Sequence, residues 1–285
     1  MDIFNLWYTY LIAYLFLTVI RTQSFKVLTK TSKSDSAIVI LLQFFAGIMT
    51  LIWLPFFEIQ FPTDLRVYLF LGLAIIFFAI VNRLNIIVIK DLEASTFSIL
   101  KQTHNVFMII AGLLLFREPF VVTRIMGALL IIFSNFLIFY KRGESKVNKH
   151  VWLGIIAMLF LTVAVSIDIG ISGEFNLPFY IAITFVGPAI LTFIIERPKA
   201  SDIYAEFKNS NKLLIIATTL SWSMVALALL RAYVLGDITV VAPLAALNVI
   251  LNVLAGYIFL KEKTNLLKKV IASILILFGV ILIQM

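Results

Sequence analysis

No cysteine occurs in the sequence, which excludes disulfides, thiolate metal sites and thiol catalysis together. Charge is scarce too, at 13% of residues, and no long polar stretch exists that could fold as a soluble catalytic domain. A phosphate-cradling loop of the G-x-x-x-x-G-K-[ST] type is absent, so ATP is not expected to drive the protein. The first hydrophobic run lacks the basic start of a cleaved signal peptide, since Asp2 precedes it and no Lys or Arg does. These absences leave no expectation of a metal, a cofactor or an enzymatic activity.

What the chain has in abundance is apolar surface. Hydrophobic residues make up 62% of its 285 residues and the mean hydropathy is +1.08. A soluble domain cannot keep that much apolar surface away from water, because surface-to-volume scaling limits the buried fraction. A helix crossing ~30 Å of hydrocarbon needs about 20 largely apolar residues. Ten such runs can be counted, at about 6–28, 36–57, 66–89, 93–116, 121–140, 151–171, 176–196, 213–235, 238–260 and 266–284. Little chain remains outside them, so the fold class expected is an all-α, multi-pass membrane protein, seated in the plasma (inner) membrane with the lipid bilayer as its surroundings.

The runs repeat. Ala94–Glu118 overlays Ile238–Glu262 without a gap, with Ala111-Gly112 on Ala255-Gly256 and Arg117-Glu118 on Lys261-Glu262; the register continues through Ala128 on Ala272. Five helices per copy is an odd number, so the second copy must enter the membrane upside down. The expected architecture is ten transmembrane helices as two inverted five-helix repeats around a central cavity, residues 1–145 and 146–285. Inverted repeats are a common plan of secondary transporters, with the substrate near mid-membrane between the halves.

Charge sets the orientation. The net charge of +8 would suggest a nucleic-acid partner in a soluble protein, but here the basic residues sit beside helix ends and none is expected. Alternate connections, beginning with the one between runs 1 and 2, hold sixteen of the 23 Lys and Arg; the opposite side holds Arg66, Arg117 and Arg124. By the positive-inside rule the basic side is cytoplasmic and both termini face outward.

The stretch Ile87–Ile138 resembles the repeat of the EamA branch of the drug/metabolite transporter superfamily: a Glu93-Ala94-Ser95-Thr96 entry, a long helix, a Phe116-Arg117-Glu118 end and a Met126-Gly127-Ala128 start. Leu230–Ile283 is similar to it again, with Leu235-Gly236-Asp237-Ile238, Leu260-Lys261-Glu262 and Phe278-Gly279-Val280. The resemblance implies ten helices, a cavity lined mainly by helices other than 5 and 10, and transport of small metabolites. Family repeats often carry Glu-Pro where this chain has His104-Asn105 and Asn248-Val249, and an Arg where Gln43 stands, so the family's substrates do not carry over. Many members are drawn with cytoplasmic termini, against the charge count.

Candidate site residues are the polar groups that hydrocarbon would exclude. A Lys, Arg or Asp at helix centre costs roughly 2.5–3.5 kcal/mol on insertion scales, so it faces a cavity or a partner. On run 4, Lys101, His104 and Asn105 share a face with Ser98 and Met108. Run 9 carries Asn248 and Asn252 on the equivalent face, and His104 and Asn248 occupy the same repeat position. Lys101 would then balance an anionic group, and His104 would bond substrate or couple transport to protons; interhelical hydrogen bonding is the competing role. Asn82 and Arg83 on run 3, with Asn85 pointing elsewhere, Gln43 on run 2, and Trp222 and Arg231 on run 8 complete the set. Arg231 is four residues from its helix end, within reach of the interface. Gly187-Pro188 marks an expected break in run 7, and Arg21-Thr22-Gln23 are expected at the interface.

The function expected is secondary transport by alternating access of a small organic metabolite, an amino acid or other carboxylate-bearing or amphiphilic solute, with protons as a candidate coupling ion. A channel or passive pore is the alternative. An intramembrane protease is a weaker one, resting on Gly170-Ile171-Ser172-Gly173 and requiring a histidine as base.

Overall fold

The computed structural model describes residues 6–91, 94–139, 149–260 and 266–285. Among them every regular element is helical, in the order α1 (Trp7–Thr31), α2 (Asp35–Thr50), α3 (Leu65–Asp91), α4 (Ala94–Leu114), α5 (Val122–Phe139), α6 (Lys149–Ile171), α7 (Leu177–Glu196), α8 (Ala200–Asn209), α9 (Lys212–Leu235), α10 (Ile238–Ala245), α11 (Asn248–Leu260) and α12 (Leu266–Gln284). Six helical stretches among the described residues are long and apolar enough to cross a membrane: Trp7–Thr31, Asp35–Phe56, Leu65–Asn85, Lys149–Glu174, Leu177–Glu196 and Lys212–Leu235. Shorter apolar helices lie at Thr103–Leu114, Val122–Ser134, Ile238–Asn252 and Ile274–Ile283. Glu93, Lys261, Glu262 and most of the connection between α5 and α6, including the 145/146 repeat boundary, lie outside the described residues.

Among the described residues, twelve helices instead of ten arise in two places. The additional α8 is a short polar helix in the connection after α7. Its Glu206 is 6% exposed, and the carboxylate accepts from the Lys33 and Ser34 N–H groups at 2.7 and 3.0 Å. Phe207 stacks on Phe45 of α2, so α8 is stapled to the start of the bundle. The second difference is the run at 238–260, which is divided into α10 and α11. Pro243 lacks an N–H, so the Thr239 carbonyl loses its helical donor. The Ala246 N–H turns back to the carbonyls of Ala242 and Pro243, Leu247 bonds Leu244, and α11 restarts at Asn248. The expected break at Gly187-Pro188 does not occur: α7 runs unbroken through Pro188, and Gly187 instead makes room for Ile75 of α3. Run 2 is helical to Phe56, with α2 tightening into a 3₁₀ helix over Leu51–Phe56 that carries Pro55.

Helix ends are set by local chemistry. Ser34 accepts from Ala37 N–H, Asn176 from Phe179 N–H, and Asn211 from the Leu213 and Leu214 N–H groups, so α2, α7 and α9 each begin on a side-chain cap. The helices then pack in pairs: α1 with α9, α3 with α6, α2 with α7, α5 with α12, and α4 with both α6 and α10. Outward-facing Phe16, Leu69, Phe133 and Leu277 remain exposed, as a lipid-facing surface requires.

The α5–α12 crossing shows how tightly one pair is fitted. A Cβ placed on Gly127 would stand 2.5 Å from the Gly279 carbonyl oxygen and 3.0 Å from the Ile283 nitrogen, both backbone atoms that cannot swing aside. Gly127→Ala is therefore expected to destabilise the purified protein by about 1–3 kcal/mol, read as a lowered unfolding midpoint in detergent. Gly72→Ala, with nothing near its added Cβ, is the matched control and should leave the midpoint in place or raise it.

Candidate functional site: a mid-membrane cation beneath an open cavity

A cavity of about 700 Å³ lies between α1, α9, the turn after α2 and the α6–α7 connection. Its deepest lining residues are Leu17 on α1 and Met224 on α9. Met224 stands eleven residues before the end of α9, about 16 Å along the axis, and Leu17 is ten residues, about 15 Å, into α1. The cavity thus reaches roughly half the ~30 Å hydrocarbon thickness from the face that carries few basic residues. Among the described residues, none of α5 or α12 lines it.

One turn beyond Leu17, on the same face of α1, is Arg21. Its guanidinium lies 4.4 Å from the centre of the Trp222 ring, a cation–π contact. Phe25 and Phe185 pack edge-on against the same indole and fix its plane. Lys101 of α4 lies within electrostatic range of Arg21. No described carboxylate forms an ion pair with Arg21; the ion pairs among the described residues are Arg83–Glu196 and Arg124–Asp237. α1 continues to Thr31, three residues past the expected end, which puts Arg21 about 15 Å along the helix from that end.

The broken α10–α11 helix meets this point through hydrogen bonds. Asn248 donates to the Tyr14 hydroxyl at 2.6 Å, leaving that hydroxyl's own proton available. Asn252 donates to the Asn248 carbonyl at 2.8 Å and, with its backbone carbonyl, receives the Gln23 amide at 3.3 Å. The two asparagines expected from the sequence are thus joined to α1 through Tyr14 and Gln23, and Trp222 through Arg21.

The remaining candidates sit elsewhere. His104 is tied to α6, its Nδ1 3.0 Å from the Thr162 hydroxyl. That hydroxyl already donates to the Met158 carbonyl, so the histidine proton belongs on Nδ1 and the contact joins α4 to α6. Asn105 is half-buried on α4. Asn82 donates to Gln43 at 2.9 Å, linking α3 and α2. Arg83 pairs at 2.7 Å with Glu196 at the end of α7, and its side chain is 46% exposed. Arg231 lines the cavity wall. Ser172 of the Gly170–Gly173 motif has no base: Thr162, which holds His104, is ten residues away on α6, about 15 Å of helix, and His150 is at the other end of α6.

No curated protein matches the sequence. Twenty-eight chains of solved structures match the fold. One of them, a crystal structure described only as that of a protein, has a TM-score of 0.74 at 12% identity and covers 96% of this chain and 94% of that chain. At that identity the likeness concerns the fold alone. A family model matches as well, over residues 5–140, and it is that of the EamA-like transporter family. With six helical stretches among the described residues fit to cross a membrane, this is an integral membrane protein whose residues 5–140 match the EamA-like transporter family.

Proposed function

We propose that the protein is a secondary transporter that carries a small organic solute, carboxylate-bearing or amphiphilic, across the plasma (inner) membrane by alternating access. The observation that carries this reading is the cavity that enters from one face and stops at mid-membrane, one helical turn from the Arg21 guanidinium, which no described carboxylate balances. A charge at that depth is costly in hydrocarbon and is retained where a solute or a wet cavity meets it.

Ten spans in two inverted halves are supported by which helices pair. Counting α9 as the eighth span and α10–α11 as the ninth, a twofold relation exchanges span 1 with 6 and 3 with 8. The α1–α9 and α3–α6 contacts are then each other's equivalents, while α2–α7, α4–α10 and α5–α12 map onto themselves. The same order puts Asn176 and Gln60 on one face, where the Asn176 N–H donates to the Gln60 carbonyl at 2.8 Å, and Glu206 and Ser34 on the other. Substrate exchange or proton coupling would drive the cycle, and rocking of the halves would move the opening from one face to the other.

The absence of cysteine makes the test direct. A single cysteine at Met224 should react with a membrane-impermeant thiol reagent applied from the side of Met285. Added carboxylate solute should slow that reaction, and vesicles holding the same solute inside should accelerate its uptake from outside. Equal labelling from both faces together with uptake indifferent to internal solute would describe a pore and end the transporter reading.

A further inference from the structure

The α1–α9 and α3–α6 seams, equivalent by helix order, differ in one respect. Counted from the helix starts, Met224 is the thirteenth residue of α9 and Phe77 the thirteenth of α3, while Ala13 is the seventh of α1 and Ile155 the seventh of α6. Met224 and Ala13 line the cavity. Their counterparts are packed instead. Phe77 stacks on Phe160 with 5.5 Å between ring centres, and Ile155, with Val151 and Leu153, packs against the buried Val88 and Leu100. Gly154 admits Leu100 to this seam, since a Cβ there would stand 2.6 Å from the Leu100 Cδ1. The other ends of both seams are shut alike. At the basic end of α1–α9 the Thr218 hydroxyl donates to Ser24 at 2.8 Å, and at the opposite end of α3–α6 Leu71 and Ile171 share one buried cluster.

We propose that the basic half of the α3–α6 seam is the second opening: in the opposite-facing state Phe77 parts from Phe160 and Val88 from Ile155, while α1 and α9 close over Met224. The inference rests on the transporter reading and names where its other mouth lies. Inverted repeats reach their second state by exchanging the conformations of the two halves, so each seam takes the form its counterpart has now. The same exchange keeps two places shut throughout. The Ser24–Thr218 end of α1–α9 and the Leu71–Ile171 end of α3–α6 are counterparts, and both are already packed.

Single cysteines in the cysteine-free, full-length protein read both openings with no solute present. In vesicles, Val88→Cys is expected to react slowly with a membrane-impermeant thiol reagent, and only from the basic face; Met224→Cys should react from the side of Met285. Phe77→Ala removes the stacked ring, so it should raise the Val88→Cys rate by about fivefold or more and lower the Met224→Cys rate, because one state fills as the other empties. Gly154→Ala crowds Leu100 in the shut seam and should act in the same direction, which keeps the test open if Phe77→Ala does not fold. A disulfide joining Ser24→Cys to Thr218→Cys should leave both rates as they are. A Val88→Cys that never reacts, a rise at Val88 with no fall at Met224, or loss of the Val88→Cys reaction on cross-linking Ser24 to Thr218 would each overturn the proposal. Exchange of internal for external phenylacetate alongside any of these would keep the transporter reading and drop the seam. Met224→Cys reacting alike from both faces would end the transporter reading itself.

Discussion

Replacing Arg21 by methionine is expected to lower transport of a carboxylate solute by one to two orders of magnitude while leaving the protein folded. Methionine keeps the length of the stem and its packing against Trp222 and removes only the charge. Charge-assisted contacts contribute roughly 1.5–3 kcal/mol, which converts to about ten- to more than a hundredfold in rate. Folding should survive because no described carboxylate is left unpaired by the change. Arg21→Lys separates charge from shape: the ammonium keeps the sign but loses the flat face that lies over the indole, so it should fall between. Trp222→Leu should cost less than Arg21→Met, since a cation–π contact is worth about 0.5–2 kcal/mol. Initial uptake rates in vesicles at matched protein incorporation decide it, and wild-type rates for Arg21→Met would remove Arg21 from the site.

The fold class was legible in the sequence because a bilayer imposes a length and a composition on anything that crosses it. The all-helical build and the apolar stretches long enough to cross a membrane follow from that solvent. Legibility failed where partners are far apart in the chain. Arg83 has no local sign of Glu196, 113 positions on, and Asn82 none of Gln43. The end of α1 was missed for a simpler reason. Apolar composition ends the first run at 28, but helical hydrogen bonding carries α1 on to Thr31. The break in run 9 shows that a proline alone does not decide where a helix stops. Pro188 is absorbed within a helix held on two sides by α2 and α3, while Pro243 coincides with a tightening to i→i−3 hydrogen bonds at Ala246 and Leu247 and a side-chain anchor at Asn248. Sequence alone offered the same Pro in both places.

Glu118→Ala is expected to destabilise the protein by about 2–4 kcal/mol. The Glu118 carboxylate reaches across from the α4–α5 connection and accepts both the Ile238 N–H at 2.5 Å and the Thr239 N–H at 2.8 Å. These are two of the unpaired donors with which α10 begins, and the negative charge also sits at the positive end of that helix. Nothing else among the described residues is positioned to replace it: Asp237, at the N-cap position of α10, makes no side-chain cap and is engaged instead by Arg124 at 2.6 Å. Gly112 is part of the fit, since a Cβ there would lie 3.0 Å from the Glu118 carboxylate. Glu118→Gln keeps one oxygen acceptor and loses the charge, so it should cost about half as much. Arg124→Ala removes a partly exposed ion pair and should cost under about 1 kcal/mol. Beyond Ala245 the ladder tightens to i→i−3 bonds before α11, and the carboxylate fixes the other end of this short helix. Denaturant unfolding in detergent gives the ordering Glu118→Ala, then Glu118→Gln, then Arg124→Ala. An alanine variant within about 0.5 kcal/mol of the parent would mean that water or lipid headgroups satisfy the α10 N-terminus as well as Glu118 does.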